Sequence, residues 1–458
     1  MRSSVKAKFT HGSVTRHLVR VTLTNSISLL SLYVVDILAL YWLARAGDPD
    51  AIAGVGLVSV WQFIVISLCL GLSTAVMTIM SRQVGAGQPD AARTVAYAGV
   101  IGMLALTLIV SLLLLAFADP ALRFLGAEAN VLVSAAKYLR MLAPAFVAMA
   151  LGQICIYILL AHGQNNRAMI VVLSGTAVAV ALDPILIGYA EMGLAGAASS
   201  YAVSRMVALA TGMYFVLMLQ LIRAAPAAAV LKQLRSAFLL ALSAVLSNIA
   251  PGAAAAYVFS RMAGFGPDVL AGATVADRVL QLSFGAYFAL PSAIAPILGQ
   301  NLGAQRNDRV VATIRSGALL VLAFGLVSSS LLYAFSEAIA SAFQLQPPGH
   351  DLVVLFCTVG GINWTLIGLQ FVALPVFNVM GKPLFSAVAN WTRASVGTVP
   401  FVLFGAAQYG ASGVLVGQLV GNALVAILTF GLCIGFARYH MTACCASWRQ
   451  RKGSILRS

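Results

Sequence analysis

Three carboxylates stand inside stretches apolar enough to cross a bilayer: Asp36, Asp183 and Asp277. A carboxylate on a spanning helix costs about 2.5–3.5 kcal/mol on insertion scales, so such groups face a cavity or a partner. Asp36 sits in VTLTNSISLLSLYVVDILALYWLA, between Arg20 and Arg45. Asn25 lies eleven residues earlier, about three helical turns, and shares its face, with Ser28 and Tyr33 flanking the stripe. A polar seam with one acid suits a helix that lines a water-filled path and carries a cation or proton. The other reading is a buried acid tied to a neighbouring helix. Asp183 precedes Pro184, which removes a backbone donor and opens the helix locally, so it either serves chemistry or caps that break. Asp277 adjoins Arg278. Adjacent residues do not face each other on a helix, so the two are expected to need separate partners. With Gln281 they are candidates for a gate in the second half. Arg205, midway along its span, either neutralises an acid or snorkels.

The elements that must hold these groups are membrane helices. Hydrophobic residues make up 61% of the 458 positions and charged residues 9%, where a soluble domain carries about 25%. Twelve apolar segments are predicted at 17–44, 51–81, 94–117, 135–160, 167–189, 193–222, 236–264, 269–299, 310–336, 351–379, 383–406 and 411–437. Some exceed the minimum span and must tilt or project. The first residues, MRSSVKAKFTHGSVTRH, are basic and lack an apolar core, which reads as a retained tail rather than a cleaved signal. With both termini inside, 20 of the 28 lysines and arginines fall on the inner side, while Asp48, Asp50, Asp119, Glu128, Glu191, Asp268, Glu337 and Asp351 fall outside. The positive-inside rule therefore expects cytoplasmic termini in a plasma (inner) membrane. The net charge of +15 follows this loop pattern and does not indicate nucleic acid. In this topology Asp36 and Asp183 both lie roughly 9–12 Å below the outer ends of their helices, which allows a shared site.

The chain repeats itself. A shift of 218 residues lays IAGVGLVSV (52–60) on LAGATVADR (270–278) and VGAGQPD (84–90) on LGAQRND (302–308). It also pairs Gly163 with Gly381, and with one residue dropped MGLAGA (192–197) meets YGASGV (409–414). Six spans per half keep the halves parallel. The fold class is therefore an all-α integral membrane protein of twelve transmembrane helices in two six-helix parallel repeats, a design that handles substrate between its halves. The expected divisions are a tail at 1–16, an N-lobe at 17–222, a linker at 223–235, a C-lobe at 236–437 and a basic tail at 438–458. The Gly-Ala loops at 83–87 and 300–304 lack a P-loop lysine and hydroxyl, so Gly85 and Gly303 are expected to end helices and Asp90 and Asp308 to cap the next ones. Cys69, Cys155, Cys357 and Cys433 have no metal-ligand spacing, and Cys444 and Cys445 past the last span are idle thiols or acylation sites. No metal, cofactor or catalytic residue is expected.

Three stretches, VVDILALYWLARAGDPDAIAGVGL (34–57), ALDPILIGYAEMGLAGAA (181–198) and ILGQNLGAQRNDR (297–309), resemble the multidrug and toxin extrusion (MATE) family, and similarity runs from about 17 to 437. The resemblance implies two six-helix lobes in a V around a central cleft. It also implies export of cationic or amphipathic compounds in exchange for protons or sodium. The chain looks most like the DNA-damage-inducible (DinF) branch, where the first-helix acid, here Asp36, and the fifth-helix acid, here Asp183, serve the N-lobe cation site. It departs from that branch in three ways: Ala179 replaces an asparagine, Tyr201 falls where a threonine of the site is expected, and Val21 or Thr22 replaces a first-helix proline. The acids that sodium-coupled relatives carry are absent from 247–259 and 362–374. These departures weigh against sodium and against proline-linked bending, and they leave the carboxylate pair.

The expected function is proton-coupled multidrug efflux through Asp36, tuned by Asp183, with sodium coupling as the alternative. The expected protein is a monomer in the bilayer whose partners are small cationic or amphipathic molecules. A lipid-linked oligosaccharide flippase would line its cavity with several cations, where Arg205 and Arg278 are nearly alone. A membrane enzyme would need a cluster that His162 and His440 do not supply, and a major-facilitator transporter would need a Gly-Asp-Arg motif absent from 82–93.

Overall fold

The computed structural model describes residues 7–45, 49–126, 129–343 and 345–455, with the side chains of 44, 49–53, 129, 130 and 440–455 left aside. Arg2, Lys6, Asp48, Asp50, Glu128, His440, Cys444, Cys445 and the basic residues beyond 440 lie outside the described residues or side chains. The described residues are helical throughout, with no strand. The first six spans are Val14–Arg45, Pro49–Gly85, Pro89–Ala116, Ala129–Ala161, Asn165–Asp183 with a π-helical extension Pro184–Tyr189, and Gly193–Met218. The seventh is Ala227–Ala263. The eighth is a pair, Pro267–Ser283 and Gly285–Gly303, bent by 43° at Phe284. The ninth is Asn307–Ala334 and the tenth Gly349–Val379.

The apolar run Pro383–Tyr439 is 57 residues long, far beyond the ~20 a bilayer needs. Its helix is broken at Gly410 by φ 58° and ψ −139°. The packing on either side shows that the chain reverses there. A Cβ on Gly405 would overlap the Gly413 carbonyl oxygen, one on Gly417 that of Phe401, and one on Gly421 that of Gly397. Four residues up one helix are matched by four residues down the other, so an antiparallel hairpin forms on a ridge of glycines that lets the backbones touch. This run is therefore two spans, and the order of apolar segments follows the twelve expected from the sequence.

The internal repeat extends to backbone conformation. Gly163 and Gly381 both adopt positive φ, at 72° and 83°; Gly87 and Gln305, also 218 apart, do so at 70° and 56°; and Gly193 and Gly410 at 54° and 58°. Gly85 and Gly303 end their helices as the sequence suggests, and the left-handed residues that follow are Gly87 and Gln305. One detail differs. Asp90 and Asp308 are not caps. They stand in the first turn, where Gln88 and Arg306 are the capping positions and no side chain makes a cap bond. There a carboxylate complements the helix dipole, and Asp90 additionally pairs with Arg93 at 3.1 Å.

The chain separates into two compact units, residues 1–8 with 20–249 and residues 9–19 with 250–458. The division lies inside the seventh span beside Pro251, where the sequence suggested the linker 223–235. The reason is packing: a Cβ on Gly71 of the second span would meet the Ala241 carbonyl at 2.8 Å, and one on Gly102 would meet Leu234 at 2.6 Å. Residues 9–19 join the second unit, where the sequence suggested a tail at 1–16 and an N-lobe from 17, because Phe9 is buried there with 1% exposure. The Phe9 N–H donates to Gln300 Oε1 at 2.9 Å, and its carbonyl accepts from Asn301 Nδ2 at 3.2 Å and Arg309 Nη2 at 2.9 Å. Arg309 Nη1 also donates to the Gly12 carbonyl at 2.8 Å.

Just past the fourth span, His162 is buried, and its Nδ1 donates to the Ile158 carbonyl at 2.9 Å. Burial, reinforced by Arg93, holds the ring below its ordinary value of 6.5 against the pull of that hydrogen bond. Below that value the unfolded chain takes up a proton that the native ring refuses, so stability falls as pH falls. The melting temperature of the detergent-solubilised protein should drop as pH is lowered from about 7 to about 5, and more shallowly in His162→Gln. An identical slope in the two proteins would remove this role.

Candidate functional site

The fifth and sixth spans approach closely because small residues recur every four positions along the sixth: Gly196, Ser200, Ser204, Ala208 and Gly212 are all buried. A Cβ on Gly196 would stand 2.6 Å from the Leu186 carbonyl, and one on Gly175 would stand 2.9 Å from that of Ser204. This contact carries Ser200 to Asp183, whose carboxylate is 3% exposed, and the Ser200 hydroxyl donates a short hydrogen bond to Asp183 Oδ1. Oδ2 is buried with no hydrogen-bond partner among the described residues. Asp183 therefore does not cap the break at Pro184, where no side-chain cap bond forms. The break is absorbed by the π-helical turn.

Asp36 is placed differently. Along the first helix Leu23, Ile27, Leu30, Val34, Ile37 and Tyr41 form one exposed apolar stripe at helical spacing, as a lipid-facing side requires. Asp36 and Asn25 lie on the opposite face, where Asp36 is exposed and Asn25 half-buried. Of the two acids, Asp183 is the buried one. Ser28 gives its hydroxyl to the Thr24 carbonyl of its own helix at 3.0 Å, and Tyr33 is half-buried.

The two acids share one phenol within their electrostatic reach. The fields of Asp36 and Asp183 both reach the hydroxyl of Tyr138 on the fourth span, which is 8% exposed. Asp36 also acts on Tyr201. Tyr201 accepts from Gln62 Nε2 at 3.4 Å, and the Arg205 guanidinium lies over its ring at 4.7 Å. Arg205 Nε is buried without a hydrogen bond among the described residues. The first unit thus gathers two carboxylates, two phenols, a serine and a guanidinium across its first, fourth, fifth and sixth spans, with Gln62 of the second. The hydroxyl expected of Tyr201 comes instead from its neighbour Ser200, because a helix face, not the nearest polar residue, decides who meets Asp183. The four-residue stripe of small residues was the signal for it; Tyr138 and Gln62 had none.

In the second unit, Gln281 Nε2 donates to Asp277 Oδ2 at 2.7 Å, and Arg278 Nη1 donates to Gln281 Oε1 at 3.5 Å. The expectation of separate partners is corrected: one glutamine, four residues on from the acid, reaches both. Among the described residues no three His, Cys, Asp or Glu side chains converge as a metal site.

Ser200→Ala would strip Asp183 of its hydrogen bond in a buried setting. It should cost about 1–3 kcal/mol, read as a lower melting temperature that Ser200→Thr restores. An alanine variant as stable as the parent would mean that the carboxylate does not depend on this bond.

The MatE family profile matches the chain twice, over residues 25–185 and 244–404, one match per half and 219 residues apart. The chain belongs to the MatE family. It is a membrane transporter and not an enzyme. MATE structures superpose over nearly the whole length: the Vibrio cholerae MATE transporter VcmN, in its bent form, matches with a TM-score of 0.88 at 20% identity, covering 94% of this chain and 98% of that one. A MATE structure in the straight conformation matches at 0.87 and 21% identity, covering 97% and 99%. Among relatives by sequence, an FAD transporter of Shewanella oneidensis is 23% identical over 91% of this chain and 94% of its own length. The multidrug export protein MepA of Staphylococcus aureus is 22% identical over 92% and 93%. An uncharacterised 21 kDa protein of Pseudomonas savastanoi is 38% identical over 202 residues, 44% of this chain and 65% of that relative.

Proposed function

We propose that this MatE protein is a secondary active exporter of cationic and amphipathic compounds in the plasma membrane, with both termini cytoplasmic, and that it exchanges them for protons at Asp36. The observation that carries the reading is that the first unit holds an exposed carboxylate, Asp36, and a buried one, Asp183, both within electrostatic reach of Tyr138. The exposed acid is open to a proton from water and to a cationic substrate. The two compete for one negative charge, which links their binding free energies with opposite sign. Asp183, with one oxygen held by Ser200 and one open, is completed by a proton or a cation and sets how readily the cluster gives up its charge. The similarity to MepA, named for multidrug export, supports this substrate class.

A second reading, export of an anionic nucleotide-like amphiphile, is supported by the similarity to the FAD transporter and by arginines at mid-span. Proteoliposomes decide the coupling. With ethidium as probe and no sodium present, an imposed proton gradient should concentrate the dye. Transport that appears only with a sodium gradient would overturn proton exchange, and transport with neither would overturn the antiporter reading.

A further inference from the structure

The eleventh span begins at Pro383 and its first helix stops at Ala394, with Ser395–Thr398 non-helical before the chain resumes at Val399. Ten residues at about 1.5 Å each put Arg393 some 15 Å along the span, near the middle of a ~30 Å hydrocarbon core. Leu384, Phe385, Val388 and Trp391 form the exposed apolar face of this helix. Arg393 projects from the opposite side, together with buried Ser386, Ala389 and Asn390, and is itself half-buried. An arginine that only needed to reach water would lie near a span end or snorkel; this one leaves the buried face of its helix at mid-depth.

No hydrogen bond or ion pair of its guanidinium is found among the described residues, and no acidic group acts on it. The position in the last turn of its helix is favourable toward the helix dipole, but the Arg393 carbonyl is already taken by Thr398 Oγ1 at 2.9 Å. Beside it, on the same face one turn back, Asn390 Oδ1 accepts from Gln370 Nε2 at 3.3 Å. Gln370 is 1% exposed, and its Oε1 has no partner among the described residues. A permanent cation with five donors thus shares a helix face with Asn390, whose partner Gln370 carries the buried open acceptor. A half-buried charge without a counter-ion is only partly solvated, and an anion is the group that offsets it.

We infer that Arg393 is the anion-recognising residue of a substrate subsite within the second unit, taking the phosphate or carboxylate of an amphiphile, with Gln370 Oε1 accepting from a hydroxyl or amide N–H of the same molecule. The inference rests on the exporter reading above and extends its substrate class from cations to amphiphiles with an acid group. A planar bidentate donor at a water-poor site suits a phosphate better than a lysine would.

The probes are flavin mononucleotide and riboflavin, which differ by one phosphate, with ethidium as a cation control, titrated by fluorescence against the full-length protein in nanodiscs. The parent should bind the mononucleotide about tenfold tighter than riboflavin. Arg393→Gln should erase that difference and leave riboflavin and ethidium unchanged, and Arg393→Lys should keep part of it. Equal binding of the two flavins by the parent, or a mononucleotide affinity indifferent to Arg393→Gln, overturns the inference even where ethidium export is intact. Parallel loss of all three ligands in both variants assigns the arginine to folding and also overturns it. If Arg393→Gln instead lowers the phosphatidylglycerol that copurifies and leaves the flavins untouched, the site holds a lipid headgroup and the substrate assignment falls. Arg393-dependent binding of the mononucleotide without any ethidium export would sink the cation-exporter reading and leave this inference standing.

Discussion

Asp36→Asn should reduce proton-driven ethidium transport in proteoliposomes to the level of protein-free vesicles while leaving the melting temperature close to that of the parent. The asymmetry follows from the placement of the side chain. Asp36 is exposed on the polar face of the first helix, so an amide of the same shape leaves the packing of that helix in place. The amide has the same shape but can neither take up a proton nor offer a charge to a cation, so both competing ligands lose their common site. Asp183→Asn should behave otherwise. Its carboxylate is buried and bonded to Ser200, so the variant should lose stability, and transport should fall by amounts that differ among substrates. An Asp36→Asn protein that still concentrates ethidium against a proton gradient would end the proposed role. Asp183→Asn with the complete phenotype and Asp36→Asn with a mild one would reverse the two assignments.

Gly421→Leu should be the most damaging single substitution in the second unit. A Cβ at 421 would overlap the Gly397 carbonyl oxygen and crowd the Phe401 ring, and neither the carbonyl nor the helix behind it can step aside without parting the whole hairpin. Overpacking of this kind costs about 3 kcal/mol or more, enough to empty the folded population of a marginally stable protein. The measurable outcome is loss of the monodisperse peak in fluorescence-detected size exclusion, with Gly421→Ala intermediate. Gly431→Ala, on the same helix with open space around its Cα, should be neutral or slightly stabilising because alanine is the better helix former. Equal behaviour of the 421 and 431 variants would mean that the glycine ridge does not hold the two helices together.

Much of the fold was legible because lipid imposes one rule on every segment: a long apolar run must be a helix, and its ends are marked by charge. The span limits 94–117 and 383–406 therefore fall within a few residues of the observed Pro89–Ala116 and Pro383 starts. The repeat register, drawn from sparse glycine matches, holds down to the positive φ of Gly193 and Gly410, since these positions tolerate few other residues. Less of the site was legible. That Asp36 and Asp183 lie in the same half followed from counting spans, but which of them is buried depends on how far the fifth and sixth helices approach, and this is set by Gly175 and Gly196. Arg393 stands inside the predicted span 383–406, but the sequence does not show which face of the helix it takes, and the non-helical turn at Ser395–Thr398 has no proline to announce it. The stretch 1–16 reads as a tail, since nothing in a basic, apolar-poor segment foretells that Phe9 will be enclosed.

The matched turns of the two halves carry a consequence for how such a protein came to divide its labour. Gene duplication copied the scaffold faithfully enough that Gly163 and Gly381 still bend alike, but the charges are not copies. At the repeat register Asp36 corresponds to Ala254, Asp183 to Phe401 or Pro400, and Arg393 to Gly175. At these matched positions the acids Asp36 and Asp183 stand only in the first copy and Arg393 only in the second. A substitution at any of the three therefore has no like residue at its repeat counterpart to take its place.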